Sequence, residues 1–368
     1  TIYGSNGSNG VILITTKSGG KNRPLSVSAK MNFGVVAADK STMFKMMNAS
    51  QYMEVAKEAW LNSGYTMENF PLQDNDMNSY STTTTSWYDE CIGLGNNIYA
   101  NVSLSGGTKK SSSYTSVSYY REKHTVKKDD QQRFTLSSKN SYSIAKWLDF
   151  TAGLNGSYNV NNIVSIGDSY LELSPVLSPY NDDGSYRLYY KVWDQSLSDW
   201  AVKRFTYNKI PNREEGDDTQ TSIYVKANGQ LAFHIIEGLD FTTLFAFDLT
   251  HSHEDIYYSK KTLEGMDTTG EAVGYSHRGD ANYMSWQNVN RLNFSRRFGR
   301  HSVSALAVLE LYSHTNKYLN ASAQGFMTDN IKEISYADKS TVLASSGTDP
   351  DRRLSMIGRA SYSYDSRY

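Results

Sequence analysis

Residues 133–160 read RFTLSSKNSYSIAKWLDFTAGLNGSYNV, and apolar and polar side chains alternate through most of this stretch. A period of two is typical of β-strands that have one apolar and one polar face. The triplet AKW at 145–147 divides the stretch into two runs, which predicts two antiparallel strands joined by a tight turn. The predicted apolar face carries Phe134, Leu136, Tyr142 and Ile144 in the first run and Leu148, Phe150, Ala152, Leu154, Tyr158 and Val160 in the second.

The same alternation recurs along the chain of 368 residues. It predicts strands near 25–38, 97–106, 112–121, 131–145, 147–161, 219–236, 239–255, 282–298, 301–314 and 352–368. A strand in a soluble domain usually has about 5–6 residues, whereas a strand that crosses a membrane needs about 9–11. Several predicted strands exceed both lengths, and Lys139, Lys226 and Arg359 lie in mid-strand on the polar face. Charges at such positions favour a wall whose polar side lines water.

The connections between the predicted strands alternate in length. The tight joins are 106–111, 145–147, 236–239 and 298–301. The long joins are 39–96, 162–218, 256–281 and 315–351, and the join at 122–130 is intermediate. Outer-membrane barrels have short turns at one end and long loops at the other. The strict alternation therefore favours such a barrel over an arbitrary set of hairpins.

Composition limits the classes of partner. Lys and Arg number 37 against 38 Asp and Glu, so no cationic excess is present to neutralise the phosphates of a nucleic acid. We find no apolar run of about 18 residues, the length that a membrane-spanning helix requires. We therefore predict an all-β fold, an antiparallel transmembrane β-barrel of which about ten strands are present.

Two local features agree with a barrel. Aromatic residues lie near predicted strand ends, for example Tyr119, Trp147, Tyr257 and Phe298, as in the girdles at membrane interfaces. In the first long join, Asn48 and Gln51 match a capping box and predict one short helix in an extracellular loop.

Several motifs resemble the SusC/RagA family of TonB-linked outer-membrane proteins. The opening segment YGSNGSNGVILITTK at 3–17 resembles the end of that family's plug domain, with tight turns at Gly4, Gly7 and Gly10. Weaker similarities lie in MMNASQY at 46–52, NVSLSGG at 101–107 and IGRASYSY at 357–364.

The resemblance implies a barrel of about 22 strands around an amino-terminal plug. Both ends of the sequence look cut, so we expect a fragment: residues 1–20 would end the plug, and residues 21–368 would form the amino-terminal half of the barrel. The family imports glycan oligomers or peptides across the outer membrane. Its implied partners are a SusD-like surface lipoprotein, the complex of TonB with ExbB and ExbD, and outer-membrane lipid.

The sequence gives only weak indications of metal-binding or catalytic sites. His251 and His253 share one strand face, but no third metal ligand is near in sequence. Residues 74–78 only partly match a calcium loop. Cys91 lies beside two acidic residues, which disfavour a thiolate. We therefore predict no catalytic residues, no metal site, no cofactor and no enzymatic activity.

Aromatic residues in the long joins are the candidate ligand contacts, because flat rings stack on sugars and loops carry recognition. They are Trp87, Tyr88, Tyr189, Tyr190, Trp193 and Trp200. The alternative is that these rings pack the loops against each other or against the partner lipoprotein.

Two other functions stay open at this point. One is a soluble all-β carbohydrate-binding or glycoside-hydrolase module, which would bury its apolar faces in a compact core and hold a pair of carboxylates about 5–10 Å apart. The other is a passive porin or adhesin barrel without a plug, against which the segment at 3–17 argues.

Overall fold

The structure is a computed structural model that describes residues 16–39, 41, 44–70, 84–164, 171, 173–194 and 199–365. Ten strands form one antiparallel sheet in which each strand pairs with its neighbours in chain order. They are β1 (Arg23–Val36), β2 (Gly95–Gly107), β3 (Ser111–Lys123), β4 (Asp130–Ala145), β5 (Leu148–Asn162), β8 (Gly216–Ile236), β9 (Leu239–Tyr258), β10 (Tyr275–Phe298), β11 (His301–Gln324) and β12 (Leu343–Tyr364). The ten predicted strands are thereby confirmed.

The remaining elements lie in the long joins. Strands β6 (Tyr189–Asp194) and β7 (Asp199–Tyr207) form a separate hairpin between β5 and β8. Among the residues that the structure describes, the helices are α1 (Ala49–Asn62), α2 (Trp87–Cys91) and α3 (Ile210–Glu215). Short 3₁₀ turns in the same joins lie at Met67–Asn69, Ile334–Tyr336 and Lys339–Thr341. The prediction of a single loop helix was therefore incomplete.

Helix α1 begins as its sequence predicts. The Asn48 side chain accepts a hydrogen bond from the backbone N–H of Gln51 at 2.9 Å, and the Gln51 side chain accepts one from the backbone N–H of Asn48 at 3.1 Å. This reciprocal pair satisfies two N–H groups that a helix start would otherwise leave unbonded. Gly64, just past the helix, adopts a φ of 85° that favours glycine.

Tight turns and long joins lie at opposite ends of the sheet. Residues 146–147, 237–238 and 299–300 are the shortest turns, and in the last two Gly238 (φ 85°) and Gly299 (φ 60°) supply a left-handed backbone. The joins 37–94, 163–215, 259–274 and 325–342 all leave from the other end. We call these the turn end and the loop end.

The two faces of the sheet differ as the alternation predicts. Val102, Val117 and Leu136 follow one another across β2, β3 and β4 in register on the apolar face. Their exposed fractions are 52%, 55% and 39%, and Met356 on β12 reaches 75%. Apolar side chains so exposed over a whole sheet are typical of a surface that meets lipid. The face therefore forms the outside of a barrel wall, and the polar face forms the inside.

The buried cores lie at the loop end. The first consists of Trp87, Cys91, Leu173, Leu177 and Ile210. The second consists of Tyr257, Ala323, Phe326 and Ala337. Tyr257 therefore packs under a loop, and its predicted place in an interfacial girdle is wrong. No helix among the described residues has the length and apolar character that crossing a membrane would require.

Some strands extend further toward the loop end than predicted. Strands β10 and β11 have 24 residues each, because their ladder continues past the apolar band. On the outer face the last apolar pair is Leu249 with Met284, and the next is His251 with Asn282. From Ser252 to Asp255 the β9 side chains on both faces are polar, so the alternation on which the prediction relied stops while the hydrogen bonds continue.

Candidate ligand-binding site

Polar side chains cover the inner face of the sheet in rows that run perpendicular to the strands. One row, from β1 to β12, is Asn32, Tyr99, Tyr120, Arg133, Asn159, Ser222, Ser252, Ala281, Tyr318 and Gly347. The next row toward the turn end is Lys30, Asn101, Ser118, Thr135, Ser157, Tyr224, Thr250, Tyr283, Asn316 and Asp349. Together they hold five tyrosines, and we call them the tyrosine rows.

Hydrogen bonds between side chains stiffen this wall. Asn159 donates to Ser222 at 3.2 Å, and Tyr224 donates to the Asp248 carboxylate at 3.2 Å. Lys226 forms an ion pair with the same carboxylate at 3.1 Å. Cross-strand contacts of this kind fix side-chain directions on a sheet face, so the wall presents an ordered set of hydroxyl, amide and ring groups.

An aromatic cluster lies on β10, β11 and β12. The hydroxyls of Tyr283 and Tyr312 are 2.9 Å apart and hydrogen-bonded. The His314 ring stacks on Tyr283 with 5.5 Å between centroids, and the Arg353 guanidinium lies 5.0 Å from the Tyr312 ring centre. A guanidinium over a phenol ring is a favourable contact of cation and π-system. The cluster therefore holds its rings in fixed positions beside the interior.

A second group of tyrosines borders a depression of about 420 Å³ in the inner face of β2 to β8. Its lining includes Tyr99, Tyr120, Arg133, Asn155 and Tyr224. The Arg133 guanidinium lies 5.4 Å from the centre of the Tyr120 ring. The depression combines aromatic ring surfaces with hydrogen-bonding groups.

Above the wall, the first core joins two long loops, 37–94 and 163–215. Trp87 is 4% exposed, and its Nε1 donates a hydrogen bond to the Ser174 carbonyl oxygen at 3.0 Å. Asn208 is fully buried and donates to the Pro179 carbonyl oxygen at 2.9 Å while accepting from the Ile210 N–H at 3.0 Å. The loops therefore pack together into one buried core and are not independent of each other.

Charged groups surround this loop core. Arg213 is buried, donates to the carbonyl oxygen of Glu90 and pairs with the Glu214 carboxylate at 2.6 Å. Lys128 forms an ion pair with the other oxygen of Glu214. Burial raises the pKa of Glu214, but the hydrogen bonds from Lys128 and Arg213 outweigh burial, so the net shift lowers it. Glu214 thus stays ionised between two cations.

Cys91 is buried in the same core, and no disulfide is available because it is the only cysteine. Removal from water raises the pKa of its thiol, although nearby Arg213 has a smaller opposite effect. A protonated, buried thiol is a poor nucleophile. The structure thus gives Cys91 a packing role.

The predicted ligand contacts occupy different surroundings. Trp87 lies inside the loop core, where its ring packs two loops against each other as in the alternative, whereas Tyr88 beside it is partly exposed. Tyr189, Tyr190, Trp193 and Trp200 lie on the β6–β7 hairpin, where positions 193 and 200 are cross-strand partners. Their side chains, the plug turn glycines Gly4, Gly7 and Gly10, and the segment 74–78 lie outside the described residues.

The histidine pair belongs to the outer face at the loop end. His253 bridges Asp280 at 3.0 Å and Asp255 at 2.9 Å, and the Nδ1 of His251 lies 2.9 Å from the amide oxygen of Asn282. Within the described residues, no group of three or more His, Cys, Asp or Glu side chains is arranged to hold a metal ion.

Sequence reasoning missed the tyrosine rows. Each tyrosine stands on the polar face of its own strand, which the alternation predicts, but the rows exist only through the pairing register. The pairing register between strands could not be derived from the alternation, because shifting one strand by two residues leaves its polar and apolar side chains on the same faces.

Together the fold and the two faces define a section of a transmembrane β-barrel wall. No family model matches the sequence. The chain is 27% identical over its whole length to TonB-dependent receptor P3 of Formosa agariphila and 25% identical to TonB-dependent receptor P26 of the same organism. It is 25% identical to TonB-dependent receptor SusC of Bacteroides thetaiotaomicron over 57% of the chain. These homologues confirm the resemblance to SusC-type TonB-linked proteins.

Solved structures agree on the fold. The RagAB peptide transporter superposes on 99% of this chain with a TM-score of 0.77 and 16% identity, and this chain covers 43% of that one. The chain spans 35% of the length of receptor P3 and 36% of receptor P26. It thus matches about one third of each of these two receptors, consistent with a fragment.

Proposed function

We propose that the protein to which this chain belongs is an outer-membrane active transporter that imports glycan oligomers or peptides. The observation that carries this proposal is the continuous two-faced wall, with exposed apolar residues such as Met31 and Met356 outside and the tyrosine rows inside. Its similarity over the full chain to TonB-dependent receptors supports the same function.

In this function the substrate crosses without chemical change. TonB, with ExbB and ExbD, would supply energy through the amino-terminal part, and a SusD-like surface lipoprotein would cover the loop end. Residues 1–20, with Gly4, Gly7 and Gly10, would close the plug. The packed loop core around Trp87 and Arg213 would give such a lipoprotein an ordered surface to bind.

Ligand contact by the loop aromatics is a second part of the proposal. Tyr88, Tyr189, Tyr190, Trp193 and Trp200 lie on α2 and the β6–β7 hairpin at the loop end, where a ligand would first arrive. Trp87 would act indirectly, by holding α2 in place through its contact with Ser174.

The soluble carbohydrate-binding or hydrolase module is not favoured. It requires the apolar face to lie against a second layer, yet Val27, Met31 and Phe33 on β1 are 64%, 73% and 67% exposed. Such a module would expose one apolar side to water at a large cost in free energy.

The experiment uses the full-length gene in its native host. Uptake of fluorescently labelled oligosaccharides and peptides is compared between the wild type, a strain without the gene and a strain without TonB. We expect uptake of at least one probe class to need both the gene and TonB. Equal uptake in all three strains would refute active transport by this protein.

A further inference from the structure

The outer face of the sheet has a depression where β10, β11 and β12 pair. Its volume is about 530 Å³. Ala307 and Gly358 are cross-strand partners at its floor, and Leu292 pairs with Ala307 on the β10 side. A β-carbon added to Gly358 would meet no atom within 4 Å. This pair of small residues therefore leaves open space between larger apolar neighbours.

The borders of the depression are mostly apolar. Phe241 and Leu292 lie in the same row as its floor, and Met356 lies in the next row toward the loop end. Asn290 belongs to that next row, and its amide donates a hydrogen bond to the Asn288 side chain at 2.7 Å. The polar group at the border is thus bonded within the wall. We call the depression the outer trough.

The outer trough continues toward the turn end over small side chains. The next outer row holds Ala305 and Ala360, which are both exposed, and Tyr362 stands in the row after that. The four residues from Gly358 to Tyr362 span about 14 Å of strand, which is about 10 Å of depth at the usual tilt of 35–45°. One leaflet has about 15 Å of hydrocarbon. The outer trough therefore lies within the leaflet at the turn end.

A single cation stands at the turn-end side of the outer trough. Arg296 lies in the same row as Tyr362, and 42% of its side chain is exposed beside the Phe298 ring. No other lysine or arginine lies on the outer face in the turn-end parts of β9 to β12, residues 239–249, 288–298, 301–311 and 354–364. A guanidinium binds phosphate through paired N–H groups. This row therefore places a phosphate-binding group beside an apolar trough.

One carboxylate competes for this cation. The Glu237 oxygen lies 3.7 Å from a terminal nitrogen of Arg296, beyond hydrogen-bonding distance, and its side chain is 88% exposed. An ion pair so open to water contributes little to stability. Arg296 is therefore able to bind a second anion.

We propose that a membrane phospholipid binds here, with one acyl chain in the outer trough and its phosphate on Arg296. A phospholipid carries charge at the interface and hydrocarbon below it, in the same order as Arg296 and the outer trough. The His301 Nδ1 lies 2.8 Å from the Tyr362 hydroxyl, so the phenol is held where polar ring ends meet headgroups. Tight turns of outer-membrane barrels face the periplasm, so the lipid belongs to the periplasmic leaflet.

Other occupants match only part of this arrangement. A free phosphate would contact Arg296 and leave the outer trough unfilled. The same face of a second copy would cover the outer trough but bring no anion, because the outer face carries no Asp or Glu in the turn-end parts of β9 to β12. A phospholipid uses both features. The inference concerns the outer face alone and goes beyond the proposed transport of a substrate.

The test uses the full-length receptor in micelles of a neutral detergent. The probe is a trace of phosphatidylglycerol with a diazirine in the middle of one acyl chain, and crosslinked peptides are mapped by mass spectrometry. We expect crosslinks to concentrate in residues 303–309 and 354–360. Unlabelled phosphatidylglycerol should compete at about fivefold lower concentration than diacylglycerol with the same chains, which lacks the phosphate. Glycerol 3-phosphate should not compete.

Four variants separate the phosphate contact from the outer trough. Arg296→Gln should remove the preference for phosphatidylglycerol over diacylglycerol, and Glu237→Gln should increase it about twofold. Gly358→Leu should lower crosslinking about tenfold, the effect of excluding about two methylene groups. Gly229→Leu is its control, because Gly229 lies on the outer face beside Phe245 on other strands, and it should leave crosslinking unchanged. Heat-modifiable migration on gels shows that each variant is a folded barrel.

Several results would overturn the lipid site. They are crosslinks spread evenly over the outer face, equal competition by the two lipids, competition by glycerol 3-phosphate, and equal losses in Gly358→Leu and Gly229→Leu. A receptor dimer that Gly358→Leu dissociates while crosslinking stays unchanged would assign the face to a second copy instead. Uptake of substrate in the native host is a separate measurement, so either proposal can fail without the other.

Discussion

The indole Nε1 of Trp87 donates a hydrogen bond of 3.0 Å to the backbone carbonyl of Ser174, which lies 87 residues away in the chain. This contact joins the first long loop, 37–94, to the second, 163–215. It lies in a core that also includes Leu173 and Ile210. The loop end is therefore organised by long-range packing, and its stability should depend on a few buried side chains.

Replacing Trp87 tests that dependence. Trp87→Ala removes a buried ring and should destabilise the loop core by about 3–5 kcal/mol, without unfolding the strands. The measurement is the rate of proteolysis in residues 163–215 of the intact receptor. Trp147→Ala is the control, because Trp147 is 56% exposed at the turn end and its loss should leave that rate unchanged. Equal sensitivity of both variants would contradict the packing role.

Lowering the pH should destabilise the same loops, because Glu214 becomes protonated. Its pKa is lowered from 4.5 in the folded protein by hydrogen bonds from Lys128 and Arg213 that outweigh burial. A lowered pKa means that the carboxylate stabilises the fold fully above 4.5, and that this contribution is lost as pH falls through the folded value below it. Proteolysis of the loops should therefore rise in that acidic window.

Glu214→Gln is the matched variant for the acid effect. It cannot ionise, so its loops should be more sensitive than those of the wild type at neutral pH and should show a weaker change between neutral and acidic pH. An acid response as large as that of the wild type would assign the effect to other groups.

Cys91 provides a chemical probe of the loop core. It is 3% exposed and the pKa of its thiol is raised by burial, so a thiol reagent should react at least about a hundredfold more slowly than with a free cysteine. Leu94, three residues further, is 75% exposed. In a Cys91→Ala background, Leu94→Cys should react at an ordinary rate. Fast labelling of native Cys91 would contradict the packed core.

The two faces of β12 predict opposite tolerance to charge. Met356 is on the outer face, and Ser355 is on the inner face beside Glu310. Met356→Lys should destabilise insertion by about 2–4 kcal/mol near the bilayer middle, whereas Ser355→Lys should change it little. The measurement is the folded fraction in liposomes over a denaturant series. Equal costs at the two positions would refute the assignment of faces.

Much of the sheet could be predicted because one signal, the alternation of side chains, specifies both strand and face. Segments such as 148–160 have it throughout, and β5 matches them. The signal failed where both faces are polar, as from Ser252 to Asp255 on β9, since hydrogen bonding continues there without any contrast between faces. The strand boundaries at the loop end therefore could not be predicted from the sequence.

Less of the candidate site could be predicted from the sequence. Helix α1 was predicted because the bonds between Asn48 and Gln51 are local. Helices α2 and α3 depend on the distant packing of Trp87 and Ile210, which no short window contains. The same holds for the pairing of Tyr318 with Gly347, because neither residue indicates its partner.

The central claim is that one face of the sheet meets lipid and the other meets water. Spin labels placed singly at residues 115–119 of the full-length receptor in liposomes test it, with accessibility to oxygen and to a water-soluble nickel complex as the readout. We expect the label at Val117, on the outer face, to favour oxygen and the labels at its neighbours Ser116 and Ser118 to favour nickel. Equal accessibility at all five positions, or the reverse alternation, would contradict the account.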